Sequence, residues 1–157
     1  MEKNEEKVWQ IPNRFEAMAQ AAREVFAWLS SHPISSRAKY SAGLAIEEMI
    51  TNMIKYGYDD GEIHQIRFRI AIHPSHLEIV FEDDGHAFDP TLHPSPNVVN
   101  VINSPRIGGL GIELVRRVTI RMVYERVGNL NRNTLHIRRI EPGDTQPIRV
   151  TLPESAP

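Results

Sequence analysis

The chain reads AIEEMITNMIKY over residues 45–56, a stretch that combines an apolar helical repeat with charged and amide side chains. At about 100 degrees per residue, Glu48, Asn52 and Lys55 fall on one narrow stripe of the predicted helix, and Glu47 points nearly opposite. The stripe borders the apolar face. A carboxylate there can act as a general base, an amide oxygen can bind Mg²⁺ and an ammonium group can reach phosphate. Together these types favour a nucleotide site, although an ordinary amphipathic helix has the same spacing.

A second candidate segment, EDDGHAFDP at residues 82–90, follows directly on a predicted strand. Asp83 at the strand end can accept a hydrogen bond from an exocyclic amine such as that of adenine. Gly85 allows the backbone to approach a flat ring closely. A tight Asp-Gly turn that only closes the strand would have the same sequence, so the segment predicts either a nucleobase contact or a turn.

A third segment, GGLGIELV at residues 108–115, is a glycine-rich turn that leads straight into a predicted amphipathic helix. Backbone amides at such a helix start can bind phosphate, and glycines remove side chains that would block the approach. No Gly-Lys-Ser or Gly-Lys-Thr follows, so it is not a Walker A motif, and no strand immediately precedes it, so it is not a dinucleotide-binding fingerprint. Together with the other two segments, this glycine-rich turn predicts a phosphate-binding loop.

The remaining sequence alternates between helical and strand periodicity. The order of elements favours an α+β fold, a two-layer α/β sandwich whose mixed, mainly antiparallel sheet is covered on one face by about three helices. The long segment 85–109 is predicted to be a loop, either functional or disordered. The predicted elements are a strand over 8–11, helices over 12–30, 36–56 and 110–118, strands over 66–72, 77–81, 122–127 and 134–140, and an edge strand over 148–152.

Composition excludes several classes of function. The 157 residues include no cysteine, which rules out disulfides, thiolate catalysis and thiolate metal sites. A net charge of −2 gives no electrostatic drive toward nucleic acid, and no window approaches the ~20 apolar residues of a membrane span. We expect a cytoplasmic protein with neither nucleic-acid nor membrane partners. The seven histidines show no tight metal-ligand motif and are interpreted as solvated or structural.

The three segments in this order resemble the N box, G1 box and G2 box of the GHKL (Bergerat-fold) ATPase/kinase superfamily, with a lid loop between the last two. In particular, Asp83-x-Gly85 followed by Phe88-Asp89-Pro90, a short proline-containing lid and the sequence GLGI at 109–112 resemble the anti-sigma factor serine/threonine kinases. The resemblance implies a single GHKL ATP-binding domain over residues 1–140. Residues 141–157 are then expected to form the edge strand and a loose C-terminal tail.

The resemblance also implies ATP and Mg²⁺ as cofactors and gives roles to individual residues. Glu48 matches the catalytic base, Asn52 matches the Mg²⁺ ligand, and Asp83 matches the carboxylate that binds the adenine amine. The other positions that match ATP-binding residues are Lys55, Gly85, Phe88, Gly108, Gly109, Leu110, Gly111 and Ile112.

The predicted N box departs from the anti-sigma kinases at one position, because Tyr56 stands where they commonly carry His. Asn52-x-x-Lys55-Tyr56 is closer to the N box of histidine kinases, but no helical phosphoacceptor domain precedes the predicted ATP domain, so we expect a stand-alone kinase. The resemblance implies a homodimer that phosphorylates a STAS-type anti-anti-sigma protein and binds a sigma factor or similar regulator. A nucleotide-gated binding module without phosphotransfer and a detached histidine-kinase-like ATPase domain remain as alternatives.

Overall fold

The computed structural model describes residues 5–92 and 108–140. None of the helices in these two ranges is both long and apolar enough to cross a membrane. The elements in chain order are β1 (Glu5–Pro12), α1 (Phe15–Ser30), α2 (Ser36–Tyr56), β2 (Gln65–Ile72), β3 (His76–Asp83), a 3₁₀ turn (Pro90–Leu92), α3 (Gly108–Val118), β4 (Arg121–Val127) and β5 (Leu130–Arg138).

The five strands form one sheet in the order β1-β2-β3-β5-β4. Every neighbouring pair is antiparallel, so over the described residues the sheet is antiparallel rather than mixed. The α+β fold with three helices and a mainly antiparallel sheet is confirmed. The predicted edge strand over 148–152 lies outside the described residues.

The core lies between the helices and one face of the sheet, because side chains alternate between faces along each strand. Phe68 on β2 and Phe81 on β3 are directly opposite each other and fully buried. Trp9 on β1 stacks on Phe68 with ring centroids 5.0 Å apart. From the helical side, α2 contributes a buried stripe that includes Ile46 and Ile50. Burial of these side chains fixes which face of each strand points inward.

The opposite face of the sheet carries ion pairs that cross the strands. Glu82 on β3 contacts Arg67 on β2 at 3.0 Å and Arg132 on β5 at 2.9 Å. Arg132 also contacts Glu125 on β4 at 3.2 Å. The hydrogen bond from Arg132, and then that from Arg67, hold the pKa of Glu82 below its ordinary value. This row of ion pairs connects β2, β3, β5 and β4 on the face of the sheet that points away from the core.

Several element boundaries differ from the sequence prediction, among them the starts of α1, α3 and β5. Helix α1 begins at Phe15 rather than at residue 12, because β1 stays paired with β2 as far as Pro12. Helix α3 begins at Gly108 rather than at residue 110, so the two adjacent glycines belong to its first turn. Strand β5 begins at Leu130 rather than at residue 134.

The start of α2 agrees with the prediction. Ser35 is the N-cap residue, and its side-chain oxygen accepts a hydrogen bond from the backbone N–H of Ala38 at 3.0 Å. Such a bond satisfies one of the backbone donors that a helix start leaves unpaired. The cap fixes the first turn of the helix that carries the predicted N box.

Candidate functional site

A cavity of about 130 Å³ lies between the C-terminal half of α2 and the ends of β3 and β5. The segment that follows β3 covers one side of it. Its walls combine apolar side chains with a few polar ones, as ligand sites usually do. The lining residues that matter below are Met49, Asn52, Asp83, Phe88, Asn131 and Asn133.

Asp83 is a buried carboxylate in the sheet wall of this cavity, with only 3% of its surface exposed. Its Oδ1 accepts hydrogen bonds from the backbone N–H of Gly85 at 2.9 Å and from Asn131 Nδ2 at 3.0 Å. Burial raises the pKa of Asp83 above its ordinary value, and the donors from Asn131 and Gly85 oppose that rise. Neither donor contacts Oδ2, which leaves an acceptor for a ligand amine.

Asn133 is a second buried polar group in the same wall. Asn133 is 3% exposed, and its Oδ1 has no hydrogen-bond partner within the described ranges. A buried carbonyl oxygen without a partner costs about 1–3 kcal/mol. A donor on a bound ligand would remove this cost, so the cavity suits a polar heterocycle better than a purely apolar ligand.

Helix α2 places two of the predicted residues along the helical side of the site. Asn52 is half-buried and lines the cavity across from Asp83. Glu48 lies one turn earlier and is also half-buried. A Cβ atom added to Gly111 of α3 would overlap Glu48 Oε2, so this glycine leaves the space that the carboxylate occupies. The predicted base and the predicted glycine turn are therefore in direct contact.

Gly85 packs closely against the end of α2. An added Cβ would come within 2.7 Å of the carbonyl oxygen of Gly57, just beyond the end of α2. That oxygen accepts a hydrogen bond from the backbone N–H of His86 at 2.8 Å. The glycine thus lets the segment after β3 pack on the end of α2, and it is not among the residues lining the cavity.

The other predicted residues divide into four groups. Phe88 lines the cavity and is 39% exposed, so its ring can contact a ligand. Lys55 is exposed in the last turn of α2 and is not part of the cavity wall. Ile112 is fully buried in the hydrophobic core, so only its backbone can contribute to a phosphate site. Gly108, Gly109 and Leu110 form the first backbone turn of α3.

Sequence reasoning missed Asn131 and Asn133. In the sequence LNRNTLHIR of β5, these residues have the same inward parity as Leu135 and Ile137. Two amides at positions that alternation assigns to the core are a signal of a polar site, because buried polar groups require partners. The signal was lost when the strand was predicted to begin at residue 134.

Beside the cavity, His64 connects the end of the α2–β2 segment to the residue after β3. Its Nε2 lies 2.7 Å from Asp60 Oδ2, and its Nδ1 lies 3.2 Å from Asp84 Oδ1. The hydrogen bond to Asp60, and then that to Asp84, raise the pKa of His64 above its ordinary value. Across residues 5–92 and 108–140, no group of three or more His, Asp or Glu side chains could hold a metal ion by itself.

The chain is similar to a known family and to several known proteins. Residues 11–139 match the family described as Histidine kinase-like ATPase domain. The chain is 24% identical over 121 residues to Serine/threonine-protein kinase BtrW of Bordetella bronchiseptica, covering 74% of this chain and 85% of that protein. It is 31% identical over 80 residues to Serine-protein kinase RsbW of Oceanobacillus iheyensis, covering 46% of this chain and about half, 48%, of that protein.

Two solved structures of histidine kinases are also similar. The histidine kinase domain of the blue-light activated histidine kinase of Erythrobacter litoralis aligns with a TM-score of 0.48 and 16% identity, over 79% of this chain and 60% of that one. Histidine kinase AdeS of Acinetobacter baumannii aligns with a TM-score of 0.43 and 12% identity, over 88% and 70%. The family match over residues 11–139 covers most of the chain, and the chain therefore belongs to the histidine kinase-like ATPase domain family, within the GHKL superfamily of ATPases and kinases.

Proposed function

We propose that the chain is an ATP-dependent serine/threonine protein kinase of the anti-sigma factor type. The observation that carries the proposal is the cavity with Asp83 on its sheet side and Asn52 on its helical side, next to Glu48. The names of the relatives BtrW and RsbW, a serine/threonine-protein kinase and a serine-protein kinase, support the same reaction class.

In this proposal the sheet side of the cavity binds adenine. Ionised Asp83 accepts a hydrogen bond from the exocyclic amine, and the unpartnered Oδ1 of Asn133 accepts a second one from the base or from a bridging water. Phe88 and Met49 supply apolar contact to the ring faces. These polar groups are pre-positioned by the strands and cost little reorganisation when the base binds.

The helical side of the cavity would hold the phosphates and the metal. The amide oxygen of Asn52 would be a protein ligand of Mg²⁺, which usually takes one or two protein oxygens and completes its shell with phosphate and water. The donor set fits, because the half-buried amide oxygen of Asn52 on the cavity wall is a hard oxygen ligand of the kind that Mg²⁺ binds. When bound, Mg²⁺ would neutralise charge on the phosphates. Backbone amides at the start of α3 would supply further phosphate contacts.

Glu48 would act as the general base. It would accept the proton of a serine or threonine hydroxyl as the hydroxyl oxygen bonds to the γ-phosphorus and the bond from that phosphorus to the bridging oxygen of ADP breaks. Its position beside Gly111 places it at the junction of α2 and α3, next to the proposed phosphate site. Neighbouring Glu47 lies on the other side of α2, in a groove with α1, and takes no part.

The proposed phosphoacceptor is a STAS-type anti-anti-sigma protein. By analogy with the anti-sigma kinases, the chain would also bind a sigma factor or similar regulator, and phosphorylation of the antagonist would decide which partner is held. Transcription would then depend on the kinase step. We further propose that the chain forms a homodimer, which sedimentation equilibrium tests directly.

A phosphotransfer assay tests the proposal. The chain is incubated with Mg²⁺, radiolabelled ATP and STAS-domain proteins of the same genome, and each acceptor is repeated with its candidate serine or threonine replaced by alanine. Glu48→Gln should reduce transfer by about 100-fold or more, because general-base catalysis contributes about 10²–10⁴. Glu47→Gln is the matched control and should keep wild-type activity.

Three outcomes separate the readings. Acid-stable label lost from the alanine acceptor supports the kinase. Acid-labile label on a histidine would support the histidine-kinase-like alternative, to which Lys55-Tyr56 points. ATP-dependent binding of a partner without any transfer by the wild-type chain would contradict the kinase and leave a nucleotide-gated binding module.

A further inference from the structure

We propose that Asn131 is a positioning residue for the nucleobase, a role that rests on the proposed function because Asn131 acts through the adenine-binding carboxylate of Asp83. Asn131 on β5 lies directly opposite Asp83 on β3. Asn131 is only 3% exposed. Its single carboxamide hydrogen-bonds to both neighbouring strands and to the turn after β3.

The amide nitrogen of Asn131 donates hydrogen bonds to two acceptors at and just after the end of β3. Nδ2 lies 3.0 Å from Asp83 Oδ1 and 2.8 Å from the backbone carbonyl oxygen of His86. The backbone N–H of Gly85 donates to the same Oδ1 at 2.9 Å. Because both donors reach Oδ1, they fix the carboxylate through one oxygen and leave the other for the ligand.

The amide oxygen of Asn131 accepts from β4, and this sets the orientation of the amide. The Tyr124 hydroxyl donates to Oδ1 at 2.6 Å and Arg126 Nη1 donates at 3.1 Å. A guanidinium can only donate and an ionised carboxylate can only accept, so a flipped amide would present the wrong atom to both. Arg126 also donates to the carbonyl oxygen of Gly85 at 2.9 Å. The turn after β3 is thus held by β4 and β5 together.

The same contact favours the ionised form of Asp83. Burial raises the pKa of Asp83, and the hydrogen bond from Asn131 is the largest effect that opposes the rise. Loss of this donor should raise the pKa further, so binding that requires the carboxylate would be lost at a higher pH. The titratable and charged groups nearest to Asp83 are Asp84, Arg126, Tyr58 and His86.

The decisive variant is Asn131→Asp, which replaces only the donating nitrogen. Calorimetry with Mg²⁺ compares ATP with purine riboside triphosphate, which lacks the 6-amino group, over mildly acidic to mildly alkaline pH. The wild type should prefer ATP by about tenfold or more, the worth of one hydrogen bond to a charged group. Asn129→Asp, the same change in the exposed turn before β5, is the matched control and should keep that preference.

Asn131→Asp should abolish the preference for ATP at alkaline pH and regain part of it as the pH falls. The regain follows because the two neighbouring carboxyl groups then share one proton, and when the introduced carboxyl holds that proton it donates a hydrogen bond to Asp83, which stays ionised. If Asn131 only supported the fold, both nucleotides would weaken equally at every pH. An unchanged ratio of the two affinities would therefore overturn the proposal.

A second variant covers the case in which Asn131→Asp fails to fold, as judged by circular dichroism. Tyr124→Phe removes the shorter of the two side-chain hydrogen bonds from β4 that orient Asn131, and it should lower the preference for ATP by about threefold. An unchanged preference in that folded variant would overturn the proposal. Failure of the wild type to bind ATP is a different result, because it overturns the proposed function itself and this role with it.

Discussion

Substituting Gly111 by alanine should leave the free energy of unfolding almost unchanged but displace the Glu48 carboxylate and so lower phosphotransfer. A Cβ at Gly111 would overlap Glu48 Oε2, which is the far end of a flexible side chain. The carboxylate can therefore move away without displacing backbone. Gly43 in α2 is the matched control, because a Cβ there meets nothing within 4 Å.

The magnitudes follow from these two environments. Replacing a helical glycine by alanine stabilises a protein by about 0.5–1 kcal/mol, which is the change expected for Gly43→Ala. At Gly111 the same gain is offset by driving Glu48 out of its rotamer, which costs about 0.5–1.5 kcal/mol. The net change in the free energy of unfolding should be close to zero. Transfer should nevertheless fall by about 100-fold, since the proposed base is displaced.

Urea denaturation and the phosphotransfer assay measure both effects. In a Glu48→Ala background the obstruction is gone, so Gly111→Ala should stabilise the chain by about the same amount as Gly43→Ala, about 0.5–1 kcal/mol. Refutation would come from Gly111→Ala stabilising the wild-type chain as much as Gly43→Ala does while leaving transfer intact. That result would mean that the carboxylate does not occupy the space beside the glycine.

Three further predictions concern the fold around the site. The pKa of His64 should exceed 6.5 in an NMR titration and fall in Asp84→Asn; the stabilisation from this pairing should be present below pH 6.5 and be lost as the pH rises through the folded-state pKa. An unchanged titration would contradict the pairing. Ser35→Ala should lower the free energy of unfolding by about 1 kcal/mol through loss of the α2 cap, measured by urea denaturation. Phe68→Ala should cost about 3–5 kcal/mol, whereas exposed Phe15→Ala should cost under about 0.5 kcal/mol; similar losses would contradict the assigned core.

Local sequence predicted the elements whose signals are local. Helix α2 has a serine cap at Ser35 and an apolar repeat as far as Met53, and both its start and its end were predicted. The start of α1 was not, because Pro12 is typical of a first helical turn, whereas in the structure it extends β1 through pairing with Gln65. Pairing with a strand more than fifty positions away is not encoded in the local pattern.

The candidate site shows the same division. The helical wheel placed Glu48 and Asn52 on one edge of α2, and the structure keeps both there. It could not show that Glu48 meets Gly111, since that contact depends on how α3 packs on α2. Asn131 was missed because the predicted strand begins at residue 134, which leaves the inward parity of its amide out of view, and because its partners lie on the strands on both sides.

The row of ion pairs on the outer face has a consequence for misfolding. Glu82 and Arg132 are opposite each other, one residue from the pair formed by Asp83 and Asn131. Because strands have a period of two, a one-residue slip that turned β5 over would carry Arg132 to the inner face and expel Asn131 from it. The outward-facing His136 and Arg138 would then be forced into the apolar layer in place of Leu135 and Ile137, at a desolvation cost that strongly disfavours the slipped pairing. The charged side chains on the outer face of the sheet thus disfavour a misregistered pairing of β5 in which the proposed nucleotide site would be lost.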